Sequence, residues 1–150
     1  MGCDIHVVCQ RRKPGGAWED LGISIWENRN YSVFGFLAGV RNYSAVEPLS
    51  KPRGLPENDQ SFVNDPDDYY YHSTSWFSIE ELLAIDPNRE VEDRRYMKQE
   101  GPNSWNGTAT CAEGEGEKTT LREFLGEKFF DDIERAKKAG TERVVFAFDN

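Results

Sequence analysis

The sequence predicts an α+β fold. Three observations carry that reading: an alternating N-terminal run closed by a Lys13-Pro14-Gly15-Gly16 turn, a capped amphipathic stretch from 120 to about 139, and an apolar run at 143–148. The expected architecture is a mainly antiparallel sheet holding an N-terminal hairpin and the C-terminal strand. One principal helix (about 120–139) packs on one face of it, with long irregular loops around.

Residues 3–10 read as a strand. Cys3, Ile5, Val7 and Cys9 share one face, and Asp4, His6, Val8 and Gln10 the other, because strand side chains alternate. Residues 17–23 supply the returning strand of the hairpin. Between 29 and 40, Tyr31, Phe34 and Leu37 recur at helical spacing with Ala38 beside them, and Gly39 stops a short helix. The 44–70 segment carries four prolines and many acids with little periodicity. A loop of that length is functional or disordered. Ser78-Ile79-Glu80-Glu81 is a capping box ahead of Leu82, Leu83 and Ile85, and its helix ends before Pro87. Residues 101–118, rich in Gly, Asn, Thr and Glu, read as a mobile loop. Thr120-Leu121-Arg122-Glu123 is a second capping box. It opens a helix or a broken pair of helices whose apolar set is Leu121, Phe124, Leu125, Phe129, Phe130 and Ile133. Gly126 is the point of interruption and Gly140 the stop. The 143–148 run is apolar on both faces, as strands inside a sheet are. With no repeat and no linker, residues 1–150 read as a single domain.

A formal charge of −9 argues against non-specific nucleic-acid binding and against docking on an anionic membrane. It leaves room for an acidic protein that blocks a macromolecular partner by mimicry, although the acids are interspersed with basic residues. Three cysteines, Cys3, Cys9 and Cys111, with no signal peptide at 1–10, read as reduced thiols in a cytoplasm. No run reaches the length of a membrane span. The glycosylation patterns at Asn30, Asn42 and Asn106 carry no meaning without secretion.

The common catalytic signatures are missing. Two histidines, His6 and His72, rule out a histidine-rich zinc site, and no phosphate loop or nucleophile elbow is present. Asp4-x-His6 puts a carboxylate and an imidazole on one strand face, where they can share a metal ion, share a proton, or simply order the strand. Its spacing is similar to the Asp-x-His that opens metallophosphoesterases, but the further Asp-, Asn- and His-rich motifs of those enzymes do not follow. His72-Ser73-Thr74-Ser75-Trp76 gathers an imidazole, three hydroxyls and an indole before a capped helix. It reads as an anion site with a stacking wall, or as capping with a core tryptophan. A Ser–His nucleophile pair is a further reading of the same run, without an obvious oxyanion hole. Arg29, Arg41 and Arg53 stand beside Asn or Gly, where an arginine fork can take phosphate or carboxylate or pair with nearby acids. Tyr69-Tyr70-Tyr71 offers stacking or loop packing. Asp149 joins Asp4 and His6 if the first and last strands are neighbours.

Several stretches, in order and over nearly the whole length, resemble a family of uncharacterised bacteriophage and bacterial proteins. They are Met1-Gly2-Cys3-Asp4-Ile5-His6, Phe34-Gly35-Phe36-Leu37-Ala38-Gly39-Val40-Arg41-Asn42, Arg53-Gly54-Leu55-Pro56, His72-Ser73-Thr74-Ser75-Trp76, Glu92-Asp93-Arg94-Arg95, Thr120-Leu121-Arg122-Glu123-Phe124-Leu125 and Phe146-Ala147-Phe148-Asp149-Asn150. The resemblance implies a phage or bacterial setting, hence a host cytoplasm, and brings no activity or catalytic residues.

The leading expectation is a binding protein for a small anionic, nucleotide-like ligand, sequestering a host defence signal through Arg41, Arg53, His72, Ser73, Ser75 and Trp76. The alternative is a phosphoesterase-like hydrolase using Asp4, His6 and His72, with a divalent metal held by Asp4 and His6. The third is the acidic blocker. A homo-oligomer with a pocket between subunits is compatible with all three.

Overall fold

The computed structural model describes residues 2–57, 59–62, 70–99 and 105–150. Tyr69, and the parts of the 44–70 and 101–118 segments at 58, 63–69 and 101–104, lie outside them. The fold is α+β. The chain divides into two compact units, each discontinuous: Met1–Arg29, Ser50–Ile85 and Glu127–Asn150 make the first, Asn30–Leu49 and Asp86–Gly126 the second.

The first unit is built on a four-stranded antiparallel sheet. Strands β1 (Asp4–Arg12) and β2 (Trp18–Asp20) form the expected hairpin. Strand β8 (Arg143–Asp149) lies between β1 and β3 (His72–Ser78), giving the order β2-β1-β8-β3. Both faces of β8 are covered, so its residues from Val144 to Phe148 are fully buried. That is why it lacks the polar alternation of a half-exposed strand. Burying a phenylalanine such as Phe146 contributes about 2–3 kcal/mol.

Register assigns the two faces. Gln10 lies opposite Arg143, Val8 opposite Val145 and His6 opposite Ala147. These residues belong to the face on which Val145 and Ala147 pack with Phe62, Leu55, Tyr71 and Trp76. Cys9 and Val7 sit against Val144 and Phe146 on the other face. The alternation read from residues 3–10 therefore holds.

Helix α4 (Glu127–Lys138) buries Phe129, Asp132, Ile133 and Ala136, one stripe at helical spacing. Trp26 joins it to the sheet. The Trp26 ring stacks on Phe129 at 5.2 Å and meets Phe146 edge-on at 6.2 Å. Its backbone N–H donates to the buried Asp132 carboxylate at 2.8 Å. Helix α2 (Ile79–Leu83) starts on the expected capping box: Glu81 N–H donates to Ser78 Oγ, and Ser78 N–H donates to Glu81.

In the second unit, α1 (Tyr31–Ala38) begins where the Asn30 side chain accepts the Ser32 and Val33 N–H groups, and ends at Gly39 with φ +73°. Gly35 allows a close approach. A Cβ there would lie 2.8 Å from Asn42 Oδ1 and 3.0 Å from Asn42 Cα. Asn42 in turn clamps Val46 through both its N–H and its carbonyl. Two short ribbons follow, β4 (Glu90–Asp93) with β7 (Glu117–Thr120) and β5 (Arg95–Gln99) with β6 (Trp105–Thr110). Much of the region read as a mobile loop at 101–118 is thus strand. Helix α3 (Leu121–Leu125) is capped by Thr120, whose hydroxyl accepts Glu123 N–H. Gly126, at φ +90° and ψ 152°, breaks the helical path before α4, as its position in the sequence suggests. Among the described residues, no helix is long and apolar enough to cross a membrane.

Candidate functional site

An open pocket of about 650 Å³ lies on the Val145 face of the sheet, lined among others by Gln10, Trp18, Asp20, Asp59, Ser61 and Arg143. Its base is Arg143, the first residue of β8. The Arg143 side chain is only 8% exposed and that of Asp59 only 2%. A buried guanidinium must be paired and hydrogen-bonded. Here Nε donates to Gln10 Oε1 at 2.7 Å, Nη2 to Asp59 Oδ2 at 3.3 Å, and the Trp18 ring covers it with the guanidinium carbon 3.8 Å from the centroid. Burial lowers the Arg143 pKa and Asp59 raises it, but an arginine stays charged throughout.

Each partner is placed by a local device. Gln10 is brought opposite Arg143 by the β1–β8 register, and Trp18 is the first residue of β2. Asp59 is oriented by its own turn: Oδ1 accepts Ser61 N–H at 2.6 Å and Ser61 Oγ–H at 2.5 Å. The lining carries one guanidinium and two carboxylates, Asp59 and Asp20, so the pocket suits a neutral, planar, hydrogen-bonding group better than a phosphate.

A second arrangement lies on the same face. His6 Nε2 is hydrogen-bonded to Asp149 Oδ2, and the Tyr71 ring meets the imidazole edge-on at 5.4 Å. The pairing of β1 with β8 thus brings Asp149 to His6, beside a pocket of about 290 Å³ lined by Ser24, Ile25, Glu27 and Phe62. Asp4 is turned to another partner. Arg29 Nε and Nη2 donate to its two oxygens at 2.9 and 3.0 Å, and this bidentate bond holds the exposed carboxyl below its usual pKa.

His72 does not join Asp4 and His6. It lies across β8 from β1, roughly 10 Å away at two strand spacings. It pairs with Phe148, whereas His6 pairs with Ala147, so the two imidazoles belong to opposite faces. Among the described residues, no three His, Cys, Asp or Glu side chains are grouped so as to hold a metal ion.

The remaining residues singled out from sequence divide between the units. Arg41 is in the second, over Tyr31 with its guanidinium carbon 5.5 Å from the ring centroid, and its Nη1 donates to Tyr43 Oη at 3.4 Å. Arg53, His72, Ser73, Ser75 and Trp76 are in the first. Arg53 is committed to a brace. Its guanidinium donates to both Glu81 oxygens at 2.8 and 2.5 Å and to the Trp76 carbonyl, and lies over the Trp76 and Phe77 rings. The Arg53 N–H donates to the fully buried Ser75 hydroxyl. His72 and Ser73 stand together at the start of β3.

Arg143, Trp18, Gln10 and Asp59 escape the sequence reading as a site. A signal exists for one of them: a charged residue opening the most apolar strand requires a buried partner. Asp59 stands in irregular chain, and nothing local ties it to residue 143. Comparison with protein families, curated proteins and solved structures returns no match.

Proposed function

We propose that this chain is a small-ligand-binding protein whose ligand enters the Arg143 pocket as a planar, polar ring of nucleobase or nucleoside type. The supporting observation is the pocket itself: about 650 Å³, with a buried guanidinium, an indole, an amide and carboxylates converging on it. Ligand sites are concave, of that size, and carry a few placed polar groups. Trp18 is half-buried, leaving part of its ring for stacking, and Asp20 and the exposed Ser61 in the lining offer polar groups for a base edge. In the phage setting that the sequence signatures suggest, such binding would sequester a host nucleotide-like signal. Native mass spectrometry of the protein beside the same sample denatured tests this, followed by titration with nucleosides. A released nucleoside-sized mass, or binding weakened about 5- to 150-fold by Trp18→Ala, is expected from the energy of stacking one base. Absence of any bound mass together with no response to nucleosides overturns the reading.

The His6–Asp149 pair favours a second reading, proton transfer in a hydrolase. A carboxylate that orients an imidazole beside a pocket is the arrangement of a general base. Turnover of a phosphoester panel, lost in His6→Ala, would support it. A panel without turnover removes it.

A further inference from the structure

Strand β3 departs from regular pairing at one place. His72 is opposite Phe148 and Ser75 opposite Phe146, so Ser73 and Thr74 together face the single Ala147. This is a bulge. Ser73 occupies the left-handed region, φ +54°, which non-glycine residues enter only at a cost. Adjacent side chains on a regular strand point to opposite faces. The bulge cancels that rule and puts Ser73 Oγ 3.1 Å from Nδ1 of its own neighbour, His72.

The other ring nitrogen, His72 Nε2, lies 2.7 Å from Asn150 Oδ1. A carboxamide oxygen only accepts, so Nε2 carries the hydrogen and Nδ1 offers its lone pair to the Ser73 hydroxyl. Phe148 stacks on the imidazole at 6.1 Å and 30°. Both His72 and Ser73 are partly exposed, on an edge strand. A hydroxyl on the free nitrogen of an imidazole whose tautomer is set by a third group is the constellation of an activated nucleophile.

We propose that Ser73 is the nucleophile, His72 the general base and Asn150 the positioning residue of an acyl-transfer site that hydrolyses carboxylic esters. Ser73 Oγ attacks the ester carbonyl while its proton passes to His72 Nδ1. The bond to the leaving alcohol breaks, and that alcohol takes the proton from His72. Water then attacks the acyl-Ser73 ester, His72 takes its proton and returns it to Ser73 Oγ, and the carboxylic acid leaves. The sum is ester plus water to acid plus alcohol. The Arg143 pocket lies on the opposite face and five residues away along β8, about 17 Å, so the two sites stand or fall separately.

The left-handed backbone makes the test sharp. Glycine suits that conformation without strain, so Ser73→Gly folds, melts at a higher temperature than the wild type, and lacks the nucleophile. The full chain is treated with a fluorophosphonate and, separately, with p-nitrophenyl acetate. One phosphonyl adduct mapping to Ser73 is expected. Ser73→Gly and His72→Gln should each lower esterase kcat at least about 100-fold. Asn150→Ala should lower kcat about tenfold with KM unchanged, and Asn150→Asp, which keeps an acceptor for Nε2–H, should restore it. No adduct, an adduct on another residue, or wild-type hydrolysis by Ser73→Gly overturns the proposal.

Discussion

Replacing Glu81 by glutamine removes one charge from the brace that fixes Arg53 against β3. The Glu81 carboxylate accepts both forks of Arg53 and the Ser78 N–H. The Arg53 bonds dominate in holding its pKa at about 2, against burial that pushes it up from 4.5. At 1.36 kcal/mol per decade that drop is worth at most about 3.4 kcal/mol. The Glu81 side chain is 39% exposed and Arg53 28%, so solvent screening reduces it to about 1–1.5 kcal/mol. A carboxylate with a depressed folded pKa stabilises the protein fully above its unfolded pKa. That stability is lost as pH falls through the folded value. Urea unfolding of wild type and Glu81→Gln should therefore differ by about 1–1.5 kcal/mol at pH 7. The gap should shrink below pH 4.5, be roughly halved near pH 3, and close as pH passes about 2. A gap that is constant with pH, or that widens in acid, refutes the reasoning.

Three further outcomes follow from the packing. Asp59→Asn leaves the Arg143 guanidinium with Gln10 and Trp18 as its remaining partners. Uncompensated buried charge costs about 3–5 kcal/mol, and those retained partners reduce it to about 2–3 kcal/mol, read as a melting-temperature loss of about 4–12 °C; a loss below about 1 °C contradicts the assignment. Gly35→Ala drives a methyl group into Asn42 and should cost about 1–3 kcal/mol in chemical unfolding, whereas an unchanged midpoint would mean that Asn42 yields freely. Burial pushes the Cys9 thiol up to about 11, and Cys3 is also fully buried. A thiol-exchange reagent at pH 8 should accordingly titrate only Cys111 in the native protein and all three cysteines after denaturation, and rapid native reaction of more than one thiol would contradict that.

The fold was legible where side chains were apolar and periodic. The N-terminal hairpin, α1 with its Gly39 stop, both capping segments and the interior character of β8 all rest on local pattern and capping chemistry, which need no tertiary information. Strand β3 was hidden because His72-Ser73-Thr74-Ser75 is polar throughout, and its inward hydroxyl, Ser75, is satisfied by the Arg53 backbone rather than by an apolar neighbour. Strands β4 and β7 are rich in charge, with no apolar alternation to mark them, and they are recognised by their pairing with each other. Arginine in an irregular stretch suggested anion binding at Arg53, but the structure shows that Glu81, from a capping box read for another purpose, takes that fork. The Arg143 cluster draws on residues 10, 18, 59 and 143, a separation no local pattern spans. The Ser–His pair read in the 72–76 run could not be assigned to a particular serine for a different reason: the Ser73–His72 contact depends on a bulge, and a bulge is a property of two strands rather than of one.

The central place of β8 has a consequence for synthesis. A ribosome that has delivered everything up to residue 142 has made β1, β2 and β3 but not the strand that lies between them. Ile5 waits for Phe148, far along the sequence. The apolar flanks of β1 and β3 are without their ladder until β8 emerges. Closing contacts so distant in sequence makes for slow folding. A nascent chain should therefore leave β1 and β3 open to chaperones and proteases until β8 clears the exit tunnel and completes the sheet.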